Sequence, residues 1–100
     1  MPINAKAKGS RLERLCIKQL TAEGYECTKA GGSLGVWDII AISKRDILLI
    51  QVKANRKPGK DERLRMQKFE APSDIVRKEL WIYKDGFPND PIITKVDDAN

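Results

Sequence analysis

Two apolar runs, Val36–Ile42 and Ile47–Ala54, stand almost back to back in this chain, parted only by Ser43-Lys44-Arg45-Asp46. Aliphatic and β-branched residues dominate both, as in buried strands, and the polar gap is short enough to close a hairpin. If the hairpin is simple, Ile42 pairs with Ile47. Asp38 then lies opposite Gln51, where directly opposed Cβ atoms stand about 4.5–5.5 Å apart. Lys44-Arg45 is not a favoured tight-turn pair, and a bulge would shift this register.

The other elements arrange themselves around that hairpin. Residues 1–7 read as a loose basic arm that carries Lys6 and runs into Lys8. The spacing predicts a helix from Ser10 to about Glu23, stopped by Gly24. A short strand over Tyr25–Ala30 and a flexible loop over Gly31–Gly35 follow. Beyond the hairpin come a polar loop over Asn55–Gly59 and a weakly amphipathic helix over Lys60–Glu70, broken by Pro72. A strand over Glu79–Lys84, a turn at Asp85-Gly86, a last strand over Pro91–Val96 and a polar tail from Asp97 complete the chain. The order α-β-β-β-α-β-β predicts an α/β sandwich around a mixed sheet. At 100 residues, one domain over 1–100 is expected.

Composition narrows the chemistry. There is no histidine, and Cys16 and Cys27 form no CxxC pair. That argues against a zinc site and excludes any mechanism that needs a histidine base. Both cysteines read as small apolar residues in a reducing compartment. No run approaches the roughly 18 apolar residues of a membrane span. Met1–Ser10 lacks an apolar signal core, so a cytoplasmic location is expected. The net charge of +5 fits a polyanionic partner such as nucleic acid, or simply a basic surface, and composition alone leaves both open.

Three polar positions interrupt the apolar pattern. On a helical projection at about 100° per residue, Leu12, Leu15, Cys16, Ile17 and Leu20 form one arc, and Glu13 falls inside it. Asp38 stands within an apolar strand, where Asp is disfavoured, on the face of Ile40 and Ile42. In the next strand, Leu48, Ile50 and Val52 face one way, while Ile47, Leu49, Gln51 and Lys53 face the other. The assumed register brings Asp38, Gln51 and Lys53 together at one end of the hairpin. Each also has an ordinary reading: a glutamate at the edge of its arc, an aspartate capping a loop amide, a strand emerging into solvent.

Together the three positions offer hard oxygen donors. Glu13, Asp38, the Gln51 amide oxygen and the Val52 backbone carbonyl suit Mg²⁺ or Mn²⁺. Such an ion would offset the buried carboxylates and lower the pKa of a bound water, with Lys53 placed to stabilise developing phosphorane charge.

The segments Gly9-Ser10-Arg11-Leu12-Glu13, Gly35-Val36-Trp37-Asp38 and Ile50-Gln51-Val52-Lys53 resemble the PD-(D/E)XK nuclease superfamily. Within it the chain is most similar to archaeal-type Holliday junction resolvases and their phage and bacterial relatives. Glu13, Asp38 and Lys53 match that group's pattern, whereas Gln51 stands where an acidic residue is usual. The resemblance implies a restriction-endonuclease-like fold and a Mg²⁺-dependent, structure-selective DNA endonuclease, with Mn²⁺ able to substitute. It implies a homodimer acting on branched or four-way DNA, with Ser33 assisting catalysis from its loop. The basic residues suited to tracking phosphates are Lys6, Lys8, Arg11, Arg14, Lys29, Arg56, Lys57 and Lys60, each of which also reads as a solvated surface charge. Trp81 and Tyr83 share one face of a late strand and read as core or dimer residues rather than as a base-stacking platform. Two alternatives remain at this point: another nuclease of the superfamily (nicking, repair or restriction-like), and a non-catalytic DNA-binding module whose site has decayed at Gln51.

Overall fold

A computed structural model describes residues 5–30 and 35–97, with side chains from Gly9 onward. Helix α1 (Ala5–Ala22) leads into strand β1 (Glu26–Lys29), followed by β2 (Ile39–Ile42) and β3 (Ile47–Ala54). Helix α2 (Lys60–Lys68), β4 (Val76–Tyr83) and β5 (Ile92–Lys95) complete the expected order. The sheet is mixed and runs β1-β2-β3-β4-β5. Only β3 and β4 are parallel; the other neighbours are antiparallel. A parallel pair needs a crossover, and α2 with its flanking loops supplies it.

A separate core lies on each face of the sheet. On one, Cys16 and Leu20 of α1 meet Ile39, Ala41, Leu48, Ile50, Trp81 and Tyr83, with Leu12, Leu15, Ile17 and Val52 packed around them. This is the apolar arc read from the sequence, and Trp81 and Tyr83 are core. Fully burying a side chain such as Leu20 or Ile39 contributes about 1.5–3 kcal/mol. On the other face, Met66 of α2 packs with Trp37, Leu49, Leu80 and Ile82. Leu48, Ile50 and Val52 therefore face α1, and Leu49 faces α2, as alternation requires.

Three expected boundaries move by three residues or more. The helix begins at Ala5, not Ser10, because Ala5-Lys6-Ala7-Lys8 are good helix formers and continue the turn backward; the expected arm of residues 1–7 is thus partly helical. Strand β2 begins at Ile39, not Val36, for a reason that belongs to the site below. Strand β4 begins at Val76, not Glu79, since it pairs along β3 from Ile47↔Val76 to Ala54↔Tyr83. The segment Val76-Arg77-Lys78 carries two basic residues, and Lys78 is the informative one. It is nonetheless buried, and its ammonium donates to the Met66, Gln67 and Phe69 carbonyls at 2.9, 3.1 and 2.8 Å, closing the C-terminal end of α2. Among the described residues, no helix is long and apolar enough to cross a membrane.

The β2–β3 hairpin closes as the simple register requires, with Ile42↔Ile47, Ala41↔Leu48, Ile40↔Leu49 and Ile39↔Ile50. Ser43 compensates for the unfavourable Lys44-Arg45 tip. Its Oγ accepts from the Arg45 and Asp46 amides, both at 3.1 Å, and it donates to Asp46 Oδ1 at 2.8 Å. The Tyr25 hydroxyl also donates to Asp46 Oδ1, at 2.8 Å, and Arg77 pairs with Oδ2. Burial alone would raise the Asp46 carboxyl; the Tyr25 and Ser43 hydroxyls and the Arg77 charge outweigh it and hold it below its ordinary range. Asp46→Asn should destabilise the fold by about 1.5–3 kcal/mol at neutral pH, the range for hydrogen bonds to a charged group. Because the folded carboxyl is depressed, this contribution is complete above the unfolded value of about 3.9 and is lost as pH falls through the folded one. Thermal melts of both forms across an acid series should show the gap closing on acidification.

Candidate active site

The ladder between β2 and β3 stops at Ile39↔Ile50, yet β3 runs on through Gln51, Val52, Lys53 and Ala54 beside β4. On the β2 side, this last stretch of β3 has lost its partner strand. Asp38 fills the gap. Its N–H donates to the Ile50 carbonyl at 2.8 Å, and its own carbonyl accepts from Ala30 N–H at 2.8 Å. In a regular strand both groups would point to one neighbour; here they reach opposite neighbours, so the chain is kinked at this residue. The core memberships agree. Trp37 packs on the α2 face and Ile39 on the α1 face, whereas residues two apart in a strand share a face.

That kink corrects the expected placement of Asp38. It does not continue the ladder opposite Gln51. Its Oδ2 instead accepts from Val52 N–H at 2.8 Å, one residue further along β3. Since N–H and C=O of one strand residue point the same way, the Val52 carbonyl opens into the same gap.

Two groups of side chains flank Asp38. From α1 comes Glu13, half-buried, its Oε1 3.9 Å from the Lys29 ammonium at the end of β1. Burial raises the Glu13 carboxyl, the Asp38 charge raises it further, and Lys29 offsets part of the effect. Asp38 is also raised, chiefly by burial; the Val52 amide and the Lys53 charge oppose this, and Glu62 adds to it. On the α2 face lie Gln51, only 4% exposed, and Lys53. Both are bound to Glu62 of α2. Gln51 Nε2 donates to Glu62 Oε2 at 2.7 Å and to the Val36 carbonyl at 3.2 Å. Lys53 Nζ lies 3.0 Å from Glu62 Oε2 and 3.3 Å from Oε1.

The structure thus brings Glu13, Asp38, Gln51, Val52 and Lys53 to one end of the sheet. Ser33 lies outside the described residues, as do the side chains of Lys6 and Lys8. Arg11, Arg14, Lys29, Arg56, Lys57 and Lys60 are exposed, with Arg56 and Lys57 in the loop directly after β3. Glu62 escaped the sequence reading. In the first turn of α2 next to Asp61, it looked like an ordinary acidic residue favouring a helix N-terminus.

These residues suit a divalent cation by donor chemistry. Among the described residues, no group of three carboxylate or cysteine side chains is gathered tightly enough to hold a metal alone. What is present is a pair of mutually repelling carboxylates and neutral oxygens. One of these, Gln51 Oε1, is buried without a hydrogen-bond partner among the described residues. Asp38, Glu13, Gln51 Oε1 and the Val52 carbonyl form an oxygen-only set of the kind hard cations prefer.

Comparison with curated proteins gave no match. Among solved structures, the fold is similar to that of Archaeoglobus fulgidus Hjc, a Holliday junction resolvase from an archaeal hyperthermophile. The TM-score is 0.71 at 22% identity, over 89% of this chain and 73% of that one. The family model for the archaeal Holliday junction resolvase (Hjc) matches residues 4–73, which takes in α1, the β2–β3 hairpin and α2. The chain therefore belongs to the archaeal Holliday junction resolvase family and is a resolvase-like DNA endonuclease.

Proposed function

We propose that the chain hydrolyses phosphodiester bonds of branched DNA, four-way junctions above all, with Mg²⁺ held at the end of β3 and Mn²⁺ able to replace it. The observation that carries this reading is the Asp38 carboxylate, half-buried, repelled by Glu13 and next to the strand that offers the unpartnered Gln51 oxygen. Asp38 is the central ligand, with Glu13, Gln51 Oε1 and the Val52 carbonyl completing the set. A bound divalent ion would supply a polarised phosphoryl oxygen and a water of lowered pKa.

The chain's own groups do the rest. Lys53 presents its ammonium beside Asp38 and meets the charge that builds on the phosphoryl oxygens. Arg56 and Lys57 hold the backbone next to the reacting phosphate, and Arg11, Arg14, Lys29 and Lys60 extend that contact. Family membership supports junction DNA as the partner and extends the reading to a cytoplasmic homodimer cutting at two symmetric points. Ser33 would assist from its loop in the same reading, and Lys6 and Lys8 would join the phosphate contacts.

The first test separates chemistry from binding. Asp38→Asn should abolish cleavage of a labelled four-way junction in a single-turnover assay while gel-shift binding survives or improves, since one negative charge leaves the phosphate path. A folded Asp38→Asn protein that cuts at the parent rate would sink the site.

The same substitution carries a stability signature. A carboxyl raised by folding disfavours the fold once ionised, so the penalty grows as pH climbs above the unfolded value of about 3.9 and is complete above the folded one. Without metal, Asp38→Asn should melt higher than the parent at neutral pH, and the advantage should vanish in acid.

Lys53→Ala should lose cleavage with little loss of binding. Arg56→Ala combined with Lys57→Ala should do the reverse. The double variant should also lower the slope of log affinity against log salt, by roughly 1 for each phosphate contact removed. Equal salt slopes in parent and double variant would place these residues off the DNA path.

A further inference from the structure

We propose that Glu62 is a positioning residue that turns Gln51 into an oxygen ligand and fixes Lys53 over the same site; the inference rests on the metal-dependent reading above. A glutamine is an ambiguous group, because its amide can present either an oxygen or an NH₂ to the same place. Here the choice is made by its neighbours. Gln51 Nε2 gives its hydrogens to two acceptors, Glu62 Oε2 at 2.7 Å and the Val36 carbonyl at 3.2 Å. Rotating the amide by half a turn would set its oxygen against a carboxylate and a carbonyl, replacing two hydrogen bonds with two repulsions. The orientation is therefore locked, and the oxygen faces away from Glu62.

That oxygen has no hydrogen-bond partner among the described residues, and Gln51 is 4% exposed. Buried acceptors left empty are rare in folded proteins and are unfavourable unless a cation or donor arrives. A cation held beside Asp38 would provide that partner.

Glu62 has a second task in the same place. Its carboxylate lies 3.0 Å from Lys53 Nζ, so one side chain of α2 holds both polar residues of the β3 terminus. Position 51 carries no charge in this chain, and the carboxylate nearest to Lys53 comes from the helix instead. A partly exposed ion pair alone contributes little to stability. That modest role would not account for the locked amide or its empty oxygen.

Isothermal titration with Mn²⁺, without DNA, tests this alongside thermal melts of every form. The parent should bind, and Asp38→Asn should not. Glu62→Gln should stay folded and bind about tenfold more weakly or worse, the usual consequence of losing a group that orients a ligand. Gln51→Glu added to Glu62→Gln should restore most of the lost affinity. A carboxylate presents oxygen whichever way it turns, and the amide introduced at 62 can donate to it. Unchanged Mn²⁺ affinity in Glu62→Gln would overturn the proposal and leave Glu62 as a surface partner of Lys53. Weakened affinity that the double variant does not recover would overturn it too, because the loss would then not arise at position 51. A parent that binds no Mn²⁺ would remove the metal site itself, and this inference with it.

Discussion

The Asp38 carboxylate accepting the Val52 amide is the contact on which the active end of the molecule depends. Strand β3 outlasts β2, so its last backbone groups on that side need partners other than a strand. An unpaired buried amide is unfavourable. A short acidic side chain at the kink satisfies that amide, and in doing so places a negative charge where burial disfavours it. Completing the hydrogen bonding of the fold thus sets up a group that welcomes a cation.

The same hairpin holds a second aspartate at its other end, and the contrast separates a structural acid from a functional one. Asp46 receives the Tyr25 and Ser43 hydroxyls and the Arg77 guanidinium, and its carboxyl is held below the usual range. Among the described residues Asp38 receives one backbone amide and faces a second carboxylate, and its carboxyl is held above it. Saturation with donors stabilises a charge in place, whereas a shortage of donors leaves interaction free energy for a ligand.

Having one helix on each face is what lets three carboxylates gather at one end of the sheet. Glu13 descends from α1 and Glu62 from α2, while Asp38 stands between them at the edge, between Trp37 in one core and Ile39 in the other. The helices are anchored by Cys16 and Leu20 on one side and by Met66 on the other, with Lys78 closing the C-terminal end of α2. Packing far from the chemistry therefore sets where the carboxylates stand.

Sequence alone determined the order of elements, the apolar arc of α1 with Glu13 inside it, and the opposite faces of Val52 and Gln51, whereas the hairpin register stood as an assumption that the structure bears out from Ile42↔Ile47 to Ile39↔Ile50. The arc and the faces are periodicity arguments, and periodicity is a local property of the chain. Sequence also pointed to Asp38, Gln51 and Lys53, because polar residues inside apolar strands are conspicuous. Tertiary structure alone decided how these residues meet. The assumed simple register placed Asp38 opposite Gln51, but the kink moved its carboxylate to Val52; a one-residue irregularity leaves no trace in a pattern with a period of two. Glu62 was invisible for a different reason. It belongs to a helix whose charged residues all look alike in sequence, and only the crossover from β3 to β4 brings that one within reach of Gln51 and Lys53.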